Sequence, residues 1–185
     1  MLSLRKFVCF SVLLAVAGCG FQPLYSARGG ANAVPQDRLT QGLSDVFVAE
    51  IPTRYGQLLR RRVVDALSPK GEPEKPRFLL EVNLPEPREE QQGIRSDNIA
   101  TRVTLTYTAK YKLRNYADNK VIMTDATSAM GSYNIVESPY ATQVAARALK
   151  ERLVGIVGDD IALRLAVYFR SHPQLSEKEP AKEAE

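Results

Sequence analysis

The chain is predicted to fold as an α+β domain, a two-layer sandwich or roll in which a mostly antiparallel sheet of about four strands is covered by two helices, the C-terminal one long. Three observations predict this. Residues Arg102 to Arg114 alternate between apolar Val103, Leu105, Tyr107, Ala109, Tyr111 and Leu113 and polar or charged neighbours, the period of a strand with one buried face. After the turn residues Ala117-Asp118-Asn119-Lys120, the segment Val121 to Asn134 is rich in β-branched and aromatic residues, so the two form a long hairpin. A helical stripe then runs from Ser138 to about Arg170, and a helix with one apolar side has to cover something.

Taken in order, residues 1–18 have the layout of an export signal: Arg5 and Lys6, then an apolar run from Phe7 to Ala17, then small residues. That run of about a dozen residues is well short of the roughly twenty a helix needs to cross a bilayer, so it addresses the protein and spans nothing. Residues 19–42, rich from Ser26 to Gly42 in Gly, Ala, Asn, Gln and Pro without a period, read as a tether, and the fold proper is expected over 43–172. Asp45 to Ile51 predicts a short first strand closed by Pro52. Arg54 to Leu67 predicts an amphipathic helix with Thr53 as N-cap and Ser68-Pro69 as stop. Arg77 to Leu84 alternates again and predicts a second strand, whereas Pro85 to Gly93, dense in Pro, Glu and Arg, reads as an exposed, mobile loop. In the last helix Ser138 and Pro139 suit the N-cap and first position. Its stripe takes in Val144, Ala145, Ala148, Leu149, Leu153, Ile156, Val157, Ile161, Leu165 and Tyr168 over about 45 Å, with Gly155 and Gly158 as a place for a kink. Residues 173–185, mostly Glu, Lys, Pro and Ala, read as a disordered tail.

Little in this sequence is suited to catalysis. Removing the signal takes Cys9 with it, and the 167 residues left of 185 contain one cysteine, Cys19, and one histidine, His172, which reads as a solvated tail residue. HExxH, CxxC, Walker-type, GxSxG and GxGxxG patterns are absent, so no metal site, cofactor or nucleophile is indicated. Asp159 and Asp160 are adjacent on a helix and point about 100° apart, which reads as solvated surface and not as an acid and base pair facing one substrate. Losing Arg5 and Lys6 lowers the formal charge from +4 to +2, so no general nucleic-acid signal remains. Basic residues do cluster, with Arg54, Arg60, Arg61 and Arg62 on the first helix and Arg102, Lys110, Lys112 and Arg114 on the polar face of the long strand. The second group either meets phosphates or keeps an exposed sheet face soluble.

Val16-Ala17-Gly18-Cys19 resembles the lipobox of bacterial lipoproteins. The resemblance implies an S-diacylglycerol and an N-acyl chain on Cys19 as the only covalent group, cleavage before it, and a membrane anchor. Several chains on one residue hold a protein stably where one holds it marginally. Gly20 in place of the aspartate that retains many such proteins at the inner membrane implies sorting to the outer membrane. The mature start, Cys19-Gly20-Phe21-Gln22-Pro23-Leu24-Tyr25, resembles that of the LptE family of lipopolysaccharide-assembly lipoproteins, and Asp159-Asp160-Ile161-Ala162-Leu163-Arg164-Leu165 is similar to its C-terminal helix. The resemblance covers about Phe21 to Arg170. It implies a non-catalytic partner and plug of the LptD outer-membrane β-barrel, assisting barrel assembly and delivery of lipopolysaccharide, and it gives the four-cation strand face phosphates and carboxylates to meet. No lipid contact is carried over residue by residue; Arg102, Lys110, Lys112 and Arg114 are assigned on charge. The rival reading is an auxiliary lipoprotein of another envelope lipid-transport system.

Overall fold

The computed structural model describes residues 41–94 and 100–176, all within one compact unit that spans residues 37–185. The signal, Cys19 and nearly all of the tether lie outside the described residues, as do 177–185 of the expected tail. Five strands and two substantial helices follow one another as β1 (Val46–Val48), α1 (Arg54–Leu67), β2 (Phe78–Asn83), β3 (Arg88–Ile94), β4 (Ala100–Asn115), β5 (Val121–Asn134) and α2 (Pro139–Ser171), with a short turn of helix, α3 (Pro173–Ser176), after them. The α+β architecture and the long final helix are as the sequence predicts.

The sheet is organised around β4. On one side it pairs along nearly its whole length with β5, from Arg102↔Asn134 to Arg114↔Val121 with one irregularity at Leu113/Arg114. On the other side β2 covers Lys110 to Asn115 and β3 covers Ala100 to Thr106, both antiparallel, while β1 adds to β2 in parallel through the α1 crossover. The expected loop over Pro85 to Gly93 is therefore corrected: from Arg88 onward it is a strand. Its charged residues have poor intrinsic strand preference. It forms because β2 reaches only half of β4 and the remaining backbone groups need partners, and its charges then suit a sheet edge.

Alternation along β4 holds throughout: Val103, Leu105, Tyr107, Ala109, Tyr111 and Leu113 are all buried, under the helices. α1 begins where expected. Thr53 caps it, its side chain accepting from the Gly56 N–H at 3.1 Å, though at φ 80° and ψ 156°, a conformation nearly reserved for glycine. Gly56 allows the first turn to sit against Ile51, since a Cβ there would lie 2.9 Å from the Ile51 carbonyl oxygen.

α2 runs unbroken through Gly155 and Gly158. Gly158 marks a close approach, where an added Cβ would meet the Arg62 Cγ at 2.9 Å on α1. Its buried residues Leu149, Leu153, Val157, Ile161, Leu165 and Phe169 recur every fourth position. Four residues overshoot a 3.6-residue turn by about 40°, so the buried stripe turns by about 200° from end to end. Leu149 lies against Gly131 of β5, Gly158 meets α1, and Phe169 packs edge-on to Phe78 of β2 at 5.2 Å. A stripe drawn for a straight helix misplaces its flanks. Val144 and Ile156, expected in the core, are exposed, and Val154 and Phe169 take part in it instead. The tail expected from residue 173 begins with α3, whose Leu175 packs on the core. His172, expected in solvent, caps α2 and stacks on Tyr168 at 4.2 Å.

Candidate functional site on the bare sheet face

Both helices lie on the face of the sheet that holds the odd-numbered β4 side chains, which leaves the even-numbered ones on a bare face. Arg102, Lys110, Lys112 and Arg114 all lie there, as the alternation predicts, but the structure does not keep them together as one site. Arg102 is eight residues from Lys110, about 26 Å along a strand, and its Nε donates to the Asn134 Oδ1 at 3.1 Å. Arg114 is 22% exposed and its Nε is 2.9 Å from the Glu81 Oε2, with a further bond from Nη1 to the Asn119 carbonyl. Its charge is answered within the domain.

Lys110 and Lys112 remain. They stand two residues apart, about 7 Å along the strand, and among the described residues neither makes an ion pair. The register sets Asn83 of β2 and Ala126 of β5 beside Lys110, and Glu81 and Thr124 beside Lys112. These residues line a groove of about 610 Å³. Its chemistry is two ammonium groups, an amide and a hydroxyl over aliphatic stems, and its two acidic residues are already engaged, Glu81 by Arg114 and Asp125 by Arg164. Such a groove receives phosphate or carboxylate groups as point charges. Asn83 and Thr124 were not singled out from sequence, because only the cross-strand register brings them to the lysines.

Both aspartates expected on solvated surface take partners: Asp159 is exposed there as expected, and Asp160 is partly covered. Asp159 takes both Nε and Nη2 of Arg62, at 2.7 and 2.9 Å, locking α2 to α1. Asp160 accepts from the Thr127 hydroxyl and from the Arg164 Nε at 2.7 Å, and Arg164 reaches on to Asp125 at 3.1 Å, which also accepts from the Tyr111 hydroxyl at 3.1 Å. This network fastens α2 to the first half of β5. It is structural, and no group of three metal-ligating side chains occurs among the described residues.

The Asp125 carboxyl is held below its ordinary value mainly by the Ala126 backbone N–H, and that of Asp160 mainly by the Thr127 hydroxyl, with Arg164 assisting both. A depressed folded-state value adds stability above the unfolded value, near 3.9, and that stability is lost as pH falls through the folded values. Thermal melting should therefore stay level from pH 7 to about 5 and drop below about 4. Asp160→Asn should blunt that drop, which melting followed by circular dichroism across this range will read.

The fold and the bare basic face together define a class, a small α+β domain with one covered and one open sheet face. Solved structures of bacterial lipoproteins share that fold. A protein from Caulobacter crescentus CB15 assigned as a lipoprotein matches with a TM-score of 0.58 at 24% identity over 77% of this chain and 98% of its own. Uncharacterized lipoprotein B from Nitrosomonas europaea matches with a TM-score of 0.57 at 12% identity, over 87% and 99%. Rare lipoprotein B from Shewanella oneidensis matches with a TM-score of 0.52 at 11% identity, over 71% and 97%. At such identities the likeness is one of fold. No family model and no curated protein matches the sequence. No described helix is long and apolar enough to cross a membrane.

Proposed function

We propose that this chain is a non-catalytic outer-membrane lipoprotein, anchored through lipid on Cys19. In this reading it partners and plugs an LptD-type β-barrel, assisting the barrel's assembly and the insertion of lipopolysaccharide into the outer leaflet. The observation that carries the lipid part is the open groove at Lys110 and Lys112, two neighbouring strand-face cations that line it without an ion pair among the described residues. Lipid A and core sugars offer it phosphates and carboxylates. The lipobox-like Val16-Ala17-Gly18-Cys19, the LptE-like start at Cys19 to Tyr25, and the fold shared with solved lipoproteins support the anchor and the class.

The deciding experiment is affinity purification of the tagged chain from detergent-solubilised outer membranes. Recovery of the lipopolysaccharide-assembly barrel in near-equal amount supports the reading. Recovery of an inner-membrane transporter, or of no partner, overturns it, the former in favour of another envelope lipid-transport system. For the groove, each cation near an anionic lipid surface contributes about 1 kcal/mol. Lys110→Gln with Lys112→Gln should weaken binding to lipopolysaccharide by about 30-fold at low salt, and by less at high salt. Unchanged affinity in a fluorescence titration would remove the groove from the site.

A further inference from the structure

The sheet has three edges. β1 is only three residues long, and β3 carries Arg88, Glu89 and Glu90, so both have the features that discourage added strands. β5 is 14 residues long, pairs only with β4 among the described residues, and contains neither lysine nor proline. Its first half is guarded from α2. The Tyr168 hydroxyl donates to the Ile122 carbonyl, and Arg164 and Asp160 bind Asp125 and Thr127. From Ser128 to Asn134 no such guard is present among the described residues.

Which backbone groups face outward follows from three bonds. The Ile135 N–H donates inward to the Thr101 carbonyl of β4, while the Ile122 carbonyl and the Ala126 N–H bond to side chains away from β4. With the register unbroken from Met123 to Asn134, the even-numbered residues Ser128, Met130, Ser132 and Asn134 turn their N–H and C=O groups to the open edge. One large apolar side chain stands exposed on each side of the edge. Met130 is 72% exposed toward the bare face, and Ile156 is 48% exposed on α2 beside the edge, in a hollow it shares with Thr127 and Ser128. Arg152 completes the site, its Nη2 3.5 Å from where a Gly131 Cβ would be, and it makes no ion pair among the described residues.

We propose that the edge from Ser128 to Asn134 accepts an extended strand from a loop or terminal segment of the partner barrel, one that sets an acidic side chain against Arg152. This inference rests on the barrel-partner reading above. Backbone groups at strand spacing supply the affinity, and the alternating flanks supply the choice of sequence. Charge selects against a second copy of this chain as occupant. Antiparallel pairing of two β5 edges about Gly131 would bring two Arg152 guanidiniums together.

Hydrogen exchange of the full chain, alone and in the copurified complex, tests the proposal. Amides of Ser128, Met130, Ser132 and Asn134 should exchange at least about tenfold more slowly in the complex. Unchanged exchange in a recovered complex overturns this inference and leaves the barrel reading standing, whereas failure to recover the barrel overturns both. Slow exchange already present in the isolated chain, through self-association or its own N-terminal residues, also overturns it. Arg152→Glu and Ser132→Pro, which remove no β4 pairing, should lower barrel recovery several-fold without changing the melting of the free chain. Full recovery with both variants sinks the proposal.

Discussion

Replacing Tyr107 by aspartate will leave the domain unfolded at 25 °C, while the same change one residue on, at Thr108, will cost it little. Tyr107 is 1% exposed on the inner face of β4, against Tyr55 of α1 with ring centroids 6.2 Å apart. Truncating a buried aromatic costs about 3–5 kcal/mol through lost contacts and the cavity left behind. A carboxylate with no partner in the same place adds several more. Together these match or exceed the whole stability of a typical domain, about 5–15 kcal/mol. Thr108 lies on the bare face, exposed, two residues from Lys110. Its replacement disturbs strand preference by up to about 1 kcal/mol, a shift of a few degrees in Tm. Tyr107→Phe goes the other way, because the buried Tyr107 hydroxyl finds no hydrogen-bond partner among the described residues. Removing an unsatisfied buried hydroxyl is neutral or stabilising. Circular dichroism melts of the three variants will read all of this, and equal melting of Tyr107→Asp and Thr108→Asp would mean that the two faces are assigned wrongly.

Gly56→Val will lower the melting temperature by roughly 6–12 °C, for a cost of about 2–3 kcal/mol. Its Cβ would lie 2.6 Å from the Ile51 Cγ2 and 2.9 Å from the Ile51 carbonyl oxygen. The methyl group can turn aside, but the carbonyl is fixed between a buried side chain and Pro52, with Thr53 already in an unusual backbone conformation. Relief requires α1 to lift from β1, which disturbs Leu59 and Val63 in the core. A helix normally gains about 1 kcal/mol when glycine becomes alanine. Gly56→Ala should therefore fall between wild type and the valine variant, and a stabilised alanine variant would refute the close contact.

The sequence alone determined whatever depends on a local period or a local cap. The inner row of β4, the hairpin it forms with β5, α1 from Arg54 to Leu67 and the Ser138-Pro139 start of α2 were all legible, because each is written in neighbouring residues. The basic face was legible as a face for the same reason. Tertiary structure alone decided the rest. β3 exists because β2 leaves half of β4 without a partner, a fact about another strand's length that residues 85–93 do not carry. The buried side of α2 turns along its length because it meets β5, α1 and β2 in succession, so no single stripe described it. Four cations became two because Glu81, opposite Lys112 in the register, reaches diagonally to Arg114, and because Arg102 stands far along the strand, bonded to the asparagine opposite it. Charge pairing acts over a few ångströms, and which residues come that close is set by the packing of segments distant in sequence.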